Sequence, residues 1–92
     1  MSQSTRLITA SYILSFVGAN SPQRLSTDTI AKWVKTHPTR VRNLVSQLVK
    51  AGILISYRGN NGGLTLARDP KQINLLQVYD AVQDSPLIAE KI

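Results

Sequence analysis

Five side chains between residues 39 and 47 have the chemistry to recognise a nucleic acid. They are Thr39, Arg40, Arg42, Asn43 and Gln47. Arginine can donate two hydrogen bonds to guanine O6 and N7, and asparagine or glutamine can pair with adenine N6 and N7. Threonine is short enough to contact a phosphate or a thymine methyl group. The set therefore predicts contacts with a duplex; the alternative is a polar helix face that meets only solvent.

A glycine-rich segment carries the second candidate set, which is Arg58, Asn60, Asn61, Gly62 and Gly63. A narrow minor groove attracts arginine through its negative potential, and glycine lets the backbone approach phosphates closely. An ordinary hairpin turn would have the same composition. The segment lacks the Lys-Ser/Thr ending of a phosphate-binding P-loop and precedes a predicted strand, which argues against nucleotide binding.

The net charge of +6 over 92 residues is concentrated in the middle of the chain. Residues 32–71 carry eight lysine and arginine side chains against one aspartate. This excess favours a polyanionic partner, with double-stranded DNA as the main candidate, while a basic surface that serves only solubility is the alternative. The length permits one domain and excludes two-domain enzymes, doubly wound cofactor folds and barrels.

Catalysis, metal binding and membrane insertion find little support in the residue types. The chain has no cysteine, which removes disulfides, thiolate metal sites and thiol catalysis. His37 and five scattered acidic residues form no nucleophile–base set, so we predict that the chain is not an enzyme and expect no metal and no cofactor. The apolar stretch after Arg6 imitates a signal peptide, but Thr9, Ser11 and Ser15 interrupt it. We expect a cytoplasmic protein without membrane segments.

Apolar side chains three and four residues apart predict three helices in the first half of the chain. The first is capped by Ser4, the second begins at Ser26 or Thr27, and the third runs over residues 38–51. A break at residues 36–38, where proline disfavours helical geometry in the residue before it, predicts a helix-turn-helix. The third helix would bury one apolar stripe, which is Val41, Leu44, Val45 and Leu48.

The second half of the chain predicts a hairpin and a further helix. Residues 53–57 and 64–67 read as two strands around the glycine-rich tip. Asn74 and Gln77 form a predicted capping box, and the helix that follows would bury Leu75, Val78, Tyr79 and Val82. The predicted fold is mainly α with a small β-hairpin (α+β), a winged helix-turn-helix domain over residues 1–85 followed by a tail over 86–92.

Three segments resemble bacterial winged-helix repressors. They span residues 36–54, 58–67 and 73–78 and include a Lys-Ala-Gly helix end and an Arg-Gly-x-x-Gly-Gly wing. The resemblance covers about residues 5–84 and is to the Rrf-two (BadM-like) family, which contains regulators of the IscR, NsrR and CymR type. It implies a homodimer on operator DNA, with the third helix in the major groove and the wing in the minor groove.

By position, the resemblance assigns Thr39, Arg42 and Asn43 to the groove-facing side of the recognition helix and residues 58–63 to the wing. It also marks three departures. Many members ligate an iron–sulfur cluster through cysteines that would begin near residue 91, and this chain has none. Members continue into a long dimerisation helix, of which the tail is a candidate start, and many carry proline and glycine where this tip has two asparagines.

These observations together predict a bacterial transcriptional regulator, with repression as the expected effect, that binds specific sequences of duplex DNA. The alternative is a winged-helix module that binds RNA or a protein partner through the same basic region.

Overall fold

Within residues 2–83, which the computed structural model describes, the chain folds into four α-helices, one antiparallel hairpin and one short 3-10 helix. Their order confirms the predicted α+β class and the winged helix-turn-helix. None of these helices is both long and apolar enough to cross a bilayer. The predicted tail over 86–92 lies outside the described residues. The elements are α1 (Gln3–Ala19), α2 (Thr27–Val34), α3 (Pro38–Lys50), β1 (Leu54–Tyr57), β2 (Gly63–Leu66), the 3-10 helix (Pro70–Gln72) and α4 (Leu75–Ala81).

The first two helices begin at serines whose hydroxyl oxygens accept a hydrogen bond from a free backbone amide. Of the two predicted starts of α2, Ser26 is the cap, because its Oγ accepts from the Thr29 amide at 3.1 Å, and Thr27 is the first helical residue. The predicted cap of α1 at Ser4 is wrong. Ser2 is the cap instead, since its Oγ accepts from the Thr5 amide at 3.1 Å and leaves Ser4 inside the first turn.

The core forms where the first three helices meet the hairpin and α4. The predicted stripe of α3 is confirmed, because all four of its members are buried: Val41, Leu44, Val45 and Leu48. Removing a leucine or valine side chain from water contributes roughly 1.5–3 kcal/mol. This burial fixes the rotation of α3, so its opposite side faces solvent.

An aromatic pair joins α1 to α2 at the edge of the core. Phe16 and Trp33 stack with ring centroids 4.4 Å apart and an angle of 9° between the planes. Trp33 is the only tryptophan of the chain and remains 53% exposed. Offset stacking of two rings adds about 0.5–1.5 kcal/mol beyond the area they bury. The pair therefore helps to hold the helix-turn-helix against α1.

The wing, residues 54–66, is a hairpin supported on one edge. Its strands pair in antiparallel register, with Tyr57 opposite Gly63, so β2 begins one residue earlier than predicted. A two-stranded hairpin is marginally stable alone. Here the Leu25 amide donates to the Leu64 carbonyl at 3.2 Å and the Leu64 amide donates to the Leu25 carbonyl at 2.8 Å. The loop before α2 therefore extends the sheet beyond β2.

α4 begins with the predicted capping box but buries a smaller face than predicted. The Gln77 amide donates to Asn74 Oδ1 at 2.8 Å, and the Asn74 amide donates to Gln77 Oε1 at 3.1 Å. Val78 and Val82 are buried as predicted, whereas Leu75 is 63% and Tyr79 39% exposed, so the prediction is wrong for those two. The helix has seven residues and meets the core at its later turn, which leaves its first turn in solvent.

The buried stripe of α3 gives a direct test of the fold. Leu44 is 0% exposed, and we expect Leu44→Ala to lower the free energy of unfolding by about 2–5 kcal/mol through lost burial and the cavity it leaves. Urea denaturation followed by circular dichroism measures the change. Asn43→Ala, an exposed neighbour in the same helix, is the matched control and should change stability by less than about 0.5 kcal/mol. Equal losses in the two variants would contradict this orientation of α3.

Candidate nucleic-acid interface

The side of α3 opposite the core is polar and exposed. Side chains advance by about 100° per residue around a helix, so positions 39, 43, 46 and 50 point away from the buried stripe. We call these four residues the outer stripe, and all are exposed: Thr39, Asn43, Ser46 and Lys50. Thr39 and Asn43 belong to the predicted site. Ser46 does not, although helical spacing alone would have found it.

The turn between α2 and α3 brings the start of the outer stripe to the surface. Lys35 ends α2 in the left-handed conformation, with φ 57°. His37 then caps α3, since its Nδ1 accepts a hydrogen bond from the Thr39 amide at 3.1 Å, and Pro38 occupies the first turn without needing an amide partner. The one histidine therefore has a structural role. Thr39 lies in the first turn of the helix, the part that usually meets base edges in recognition helices.

Arg42 lies on the flank of α3 that faces α2 and β1. Its Nη2 atom is 3.9 Å from Asp28 Oδ1, and the two side chains are 59% and 76% exposed. Such an exposed ion pair contributes at most about 1 kcal/mol, so Asp28 leaves the guanidinium available to a stronger anionic partner. Arg42 also borders an open cavity that we call the basic groove, which is lined by Thr27, Arg42, Val45, Ser46, Val49, Lys50 and Ser56.

The basic groove combines two cations with three hydroxyl groups. Arg42 and Lys50 supply the charge, and Thr27 stands at the first position of α2, where unpaired amides and the helix dipole favour an anion. Ser56 belongs to β1, so the groove joins the flank of α3 to the root of the wing. The Lys50 ammonium and the three hydroxyl groups are rotatable donors, which suit a phosphate better than a base edge, whereas the Arg42 guanidinium is a planar fork that can also pair with a base.

Gln47 and Arg40 lie on the other flank of α3 and do not join this groove. The Gln47 side chain binds within the protein: its Oε1 accepts from the Arg6 guanidinium and its Nε2 donates to the Gln83 carbonyl at 3.1 Å. Arg6 Nε also donates to the Val82 carbonyl at 2.7 Å. These bonds tie α1, α3 and the end of α4 together, whereas Arg40 is exposed. The structure thus separates Gln47 from the other predicted residues.

The tip of the wing is an exposed turn that carries Arg58, Asn60 and Asn61. The Gly62 amide closes it by donating to the Gly59 carbonyl at 2.9 Å. A Cβ at Gly62 would lie 2.5 Å from the Tyr57 carbonyl oxygen and 2.9 Å from that of Gly59. The glycine is therefore required by the turn itself, before any contact with a partner is considered.

Two arginines have contacts that the sequence patterns do not predict. Arg68 donates to the Gly52 carbonyl through Nε and to the Ala51 carbonyl through Nη2, each at 3.2 Å, so it caps the end of α3. Arg24 donates to the Asn61 carbonyl at 3.0 Å and stacks over the ring of Tyr57 in the wing. Both lie in segments without periodic spacing, and no sequence signal marks their long-range contacts.

An exposed polar helix beside a basic groove and a glycine-tipped wing defines the winged-helix class of regulators. Comparison with known sequences gives the particular family: the Rrf2 family, described as "Iron-dependent Transcriptional regulator", matches residues 3–91. The chain belongs to the Rrf2 family, in agreement with the resemblance seen in its sequence.

Two proteins of similar sequence support this assignment. YwnA of Bacillus subtilis, a candidate HTH-type transcriptional regulator, is 43% identical over 79 residues, which cover 86% of this chain and 57% of YwnA. The HTH-type transcriptional regulator NsrR of Oceanobacillus iheyensis is 33% identical over 64 residues, covering 68% of this chain and 44% of NsrR. The chain thus spans about half the length of these two relatives. Their names are those of regulators, which agrees with the prediction that the chain is not an enzyme.

Solved structures match the fold closely. A crystal structure described as a candidate DNA-binding protein has a TM-score of 0.77 at 41% identity, covering 94% of this chain and 73% of its own. IscR of T. potens has a TM-score of 0.73 at 26% identity, covering 92% of this chain and 61% of its own. Both neighbours therefore share the arrangement of helices and wing found here.

The family description names iron, but residues 2–83, which the structure describes, do not fit an iron site. The sequence contains no cysteine. Across residues 2–83, no cluster of three or more histidine, aspartate or glutamate side chains is placed to hold a metal ion.

The geometry of the wing tip predicts a sharp response at Gly62. We expect Gly62→Ala to destabilise the protein by about 1–3 kcal/mol, because the added carbon collides with backbone rather than with a flexible side chain. Amide chemical shifts should change mainly between residues 57 and 64. Asn60→Ala, an exposed substitution in the same tip, should cost less than about 0.5 kcal/mol. If thermal unfolding cannot tell the two variants apart, the tight turn described here is wrong.

Proposed function

We propose that this chain is the DNA-binding unit, residues 1–85, of a transcriptional repressor that recognises a specific duplex sequence. α3 enters the major groove with its outer stripe toward the base edges, and the wing reaches the adjacent minor groove. The observation that carries the proposal is the exposed polar stripe of α3, which lies opposite its buried stripe and beside the basic groove. A major groove has the width to admit one helix in this way.

Within this arrangement, base reading and phosphate binding fall to different residues. Arg42 supplies a pair of donors and Asn43 a donor and an acceptor for base edges, and Thr39 contacts a phosphate or a thymine methyl group. Lys50 and the hydroxyls of the basic groove bind a backbone phosphate, and Arg40 adds a phosphate contact from its own flank. Gln47 is left out of the proposed contacts because its amide is engaged by Arg6 and Gln83.

The wing contributes by shape and charge more than by a hydrogen-bond code. Arg58 is exposed and, in this proposal, enters the minor groove, where narrow A·T-rich segments have the most negative potential. Asn60 and Asn61 can donate to the acceptors on the floor of that groove. Gly62 and Gly63 keep the tip thin, so the backbone can approach the phosphates.

In the full-length regulator, we propose a cytoplasmic homodimer on an inverted repeat. Support comes from membership of a family of transcriptional regulators and from the length of the relatives, which extends beyond the part matched here. A two-fold dimer of helix-turn-helix units contacts half-sites about 34–36 Å apart, one helical turn of DNA.

Selection of bound sequences from a random duplex pool tests the proposal. Enrichment of one motif, with an inverted repeat if the protein dimerises, is the expected result. Binding of the selected duplex is then compared with duplex RNA of the same sequence and with each single strand at one salt concentration. Failure to enrich any motif, or equal affinity for the RNA, would reject sequence-specific DNA binding and favour the RNA or protein partner.

Arg42→Ala tests base reading by α3. If the guanidinium forks onto guanine, the variant should lose about 1–3 kcal/mol of binding free energy on the selected site and tolerate changes at one base pair. Dissociation constants on the site and on its single-base variants measure both effects. A loss of equal size on every sequence would reassign Arg42 to a phosphate.

Lys50→Ala tests phosphate binding in the basic groove. Removing one phosphate contact should weaken binding to all sequences alike and reduce the slope of log affinity against log salt by about 0.9. Lys71→Ala, which removes a lysine from the 3-10 helix, is the matched control and should leave the slope unchanged. The same slope in Lys50→Ala and the original protein would exclude Lys50 from the interface.

A further inference from the structure

Arg24 belongs to neither predicted set, yet it contacts the wing at two places. Its guanidinium carbon lies 3.6 Å from the centroid of the Tyr57 ring, and its Nη1 donates to the Asn61 carbonyl at 3.0 Å. Tyr57 is the last residue of β1, and Asn61 lies in the tip. A single side chain therefore links the loop before α2 to both the base and the tip of the turn.

The hairpin allows the loop that carries Arg24 to approach it closely. Gly63 has φ 137°, and a Cβ there would lie 3.0 Å from the Cβ and the carbonyl carbon of Arg24. The Leu25 amide nitrogen would lie equally close, so the missing side chain at Gly63 lets the backbone of Arg24 and Leu25 approach β2. The paired hydrogen bonds between Leu25 and Leu64 hold the backbone of Arg24 beside this strand.

We propose that Arg24 is a positioning residue for the wing, which fixes the orientation of the tip before DNA is bound. Beyond the Tyr57–Gly63 pair, the turn is closed by the hydrogen bond from the Gly62 amide to the Gly59 carbonyl. Arg24 adds a contact from outside the hairpin, which limits hinge motion of the tip. A tip ordered in advance loses less entropy on binding. The effect on DNA rests on the proposed function, whereas the contact itself exists in the free protein.

Arginine is suited to this role in a way that lysine is not. The flat guanidinium can lie on an aromatic face and donate hydrogen bonds at its edge in the same conformation. Lysine keeps the charge but has neither the flat surface nor the fork of donors. Arg24→Lys therefore separates positioning from simple attraction to phosphate.

Hydrogen exchange in the free protein tests the positioning role without DNA. We expect Arg24→Lys and Tyr57→Leu each to speed exchange of the Gly62 amide by about two- to fivefold. This factor is the free energy of one exposed cation–π contact, converted into a change in the equilibrium constant for opening of the tip. The Leu64 amide, which donates to the neighbouring loop, should keep its rate in Arg24→Lys. Tyr57→Phe retains the ring and is the matched control, with no change expected. An unchanged Gly62 rate in both Arg24→Lys and Tyr57→Leu would overturn the proposal.

Binding to the selected duplex gives the second measurement. Arg24→Lys should lower affinity by about two- to fivefold while leaving the salt slope as it was, because the charge is retained. Full affinity in Arg24→Lys, with a lower slope in Arg24→Gln, would instead make Arg24 a phosphate contact and overturn the positioning role. If the original protein binds no duplex, the proposed function fails, and the exchange rates still decide whether Arg24 holds the wing.

Discussion

Burial of the apolar stripe of α3 is the interaction on which the rest of the structure depends. Leu44 and Leu48 are removed from water completely, together with Val41, and this packing leaves the helix one allowed rotation. The opposite side, with Asn43 and Lys50, must then face outward. The proposed recognition surface is therefore a consequence of the hydrophobic core, and its polar side chains are presented without needing contacts of their own.

The same packing also sets the position of the wing. α3 ends at Lys50, the carbonyls of Ala51 and Gly52 after it accept hydrogen bonds from Arg68, and β1 begins at Leu54. At the other edge, the loop before α2 pairs with β2 through Leu25 and Leu64. The wing is thus held on one side by the end of α3 and on the other by the segment that precedes α2. Its root cannot move independently of either.

Features of the fold that follow from periodic or local sequence patterns could be predicted, whereas features that depend on residues distant in sequence could not. Apolar spacing identified the core side of α3, and the capping box of α4 is local in sequence. Leu75 was misplaced because periodicity defines a face but does not say whether a seven-residue helix has anything to pack against. Ser2 was missed because several serine and threonine residues near the start of α1 are chemically equivalent caps.

The candidate site likewise contains residues that could be predicted from the sequence and residues that could not. Outward positions on α3 follow from helix geometry, so Thr39 and Asn43 could be predicted. Gln47 could not be set apart, because its partners Arg6 and Gln83 lie far away in sequence. The contacts of Arg24 with the wing could not be predicted for the same reason. Net charge alone therefore overestimates the binding surface: Arg68 and Arg6 contribute to the total of +6 but donate to backbone and side-chain oxygens of their own chain.

The stack of Phe16 on the single tryptophan has a practical consequence, since it places the chain's one indole chromophore at the junction of α1 and α2. Intrinsic fluorescence therefore reports on the packing of these two helices, and it offers a way to follow the proposed binding of DNA with no dye attached.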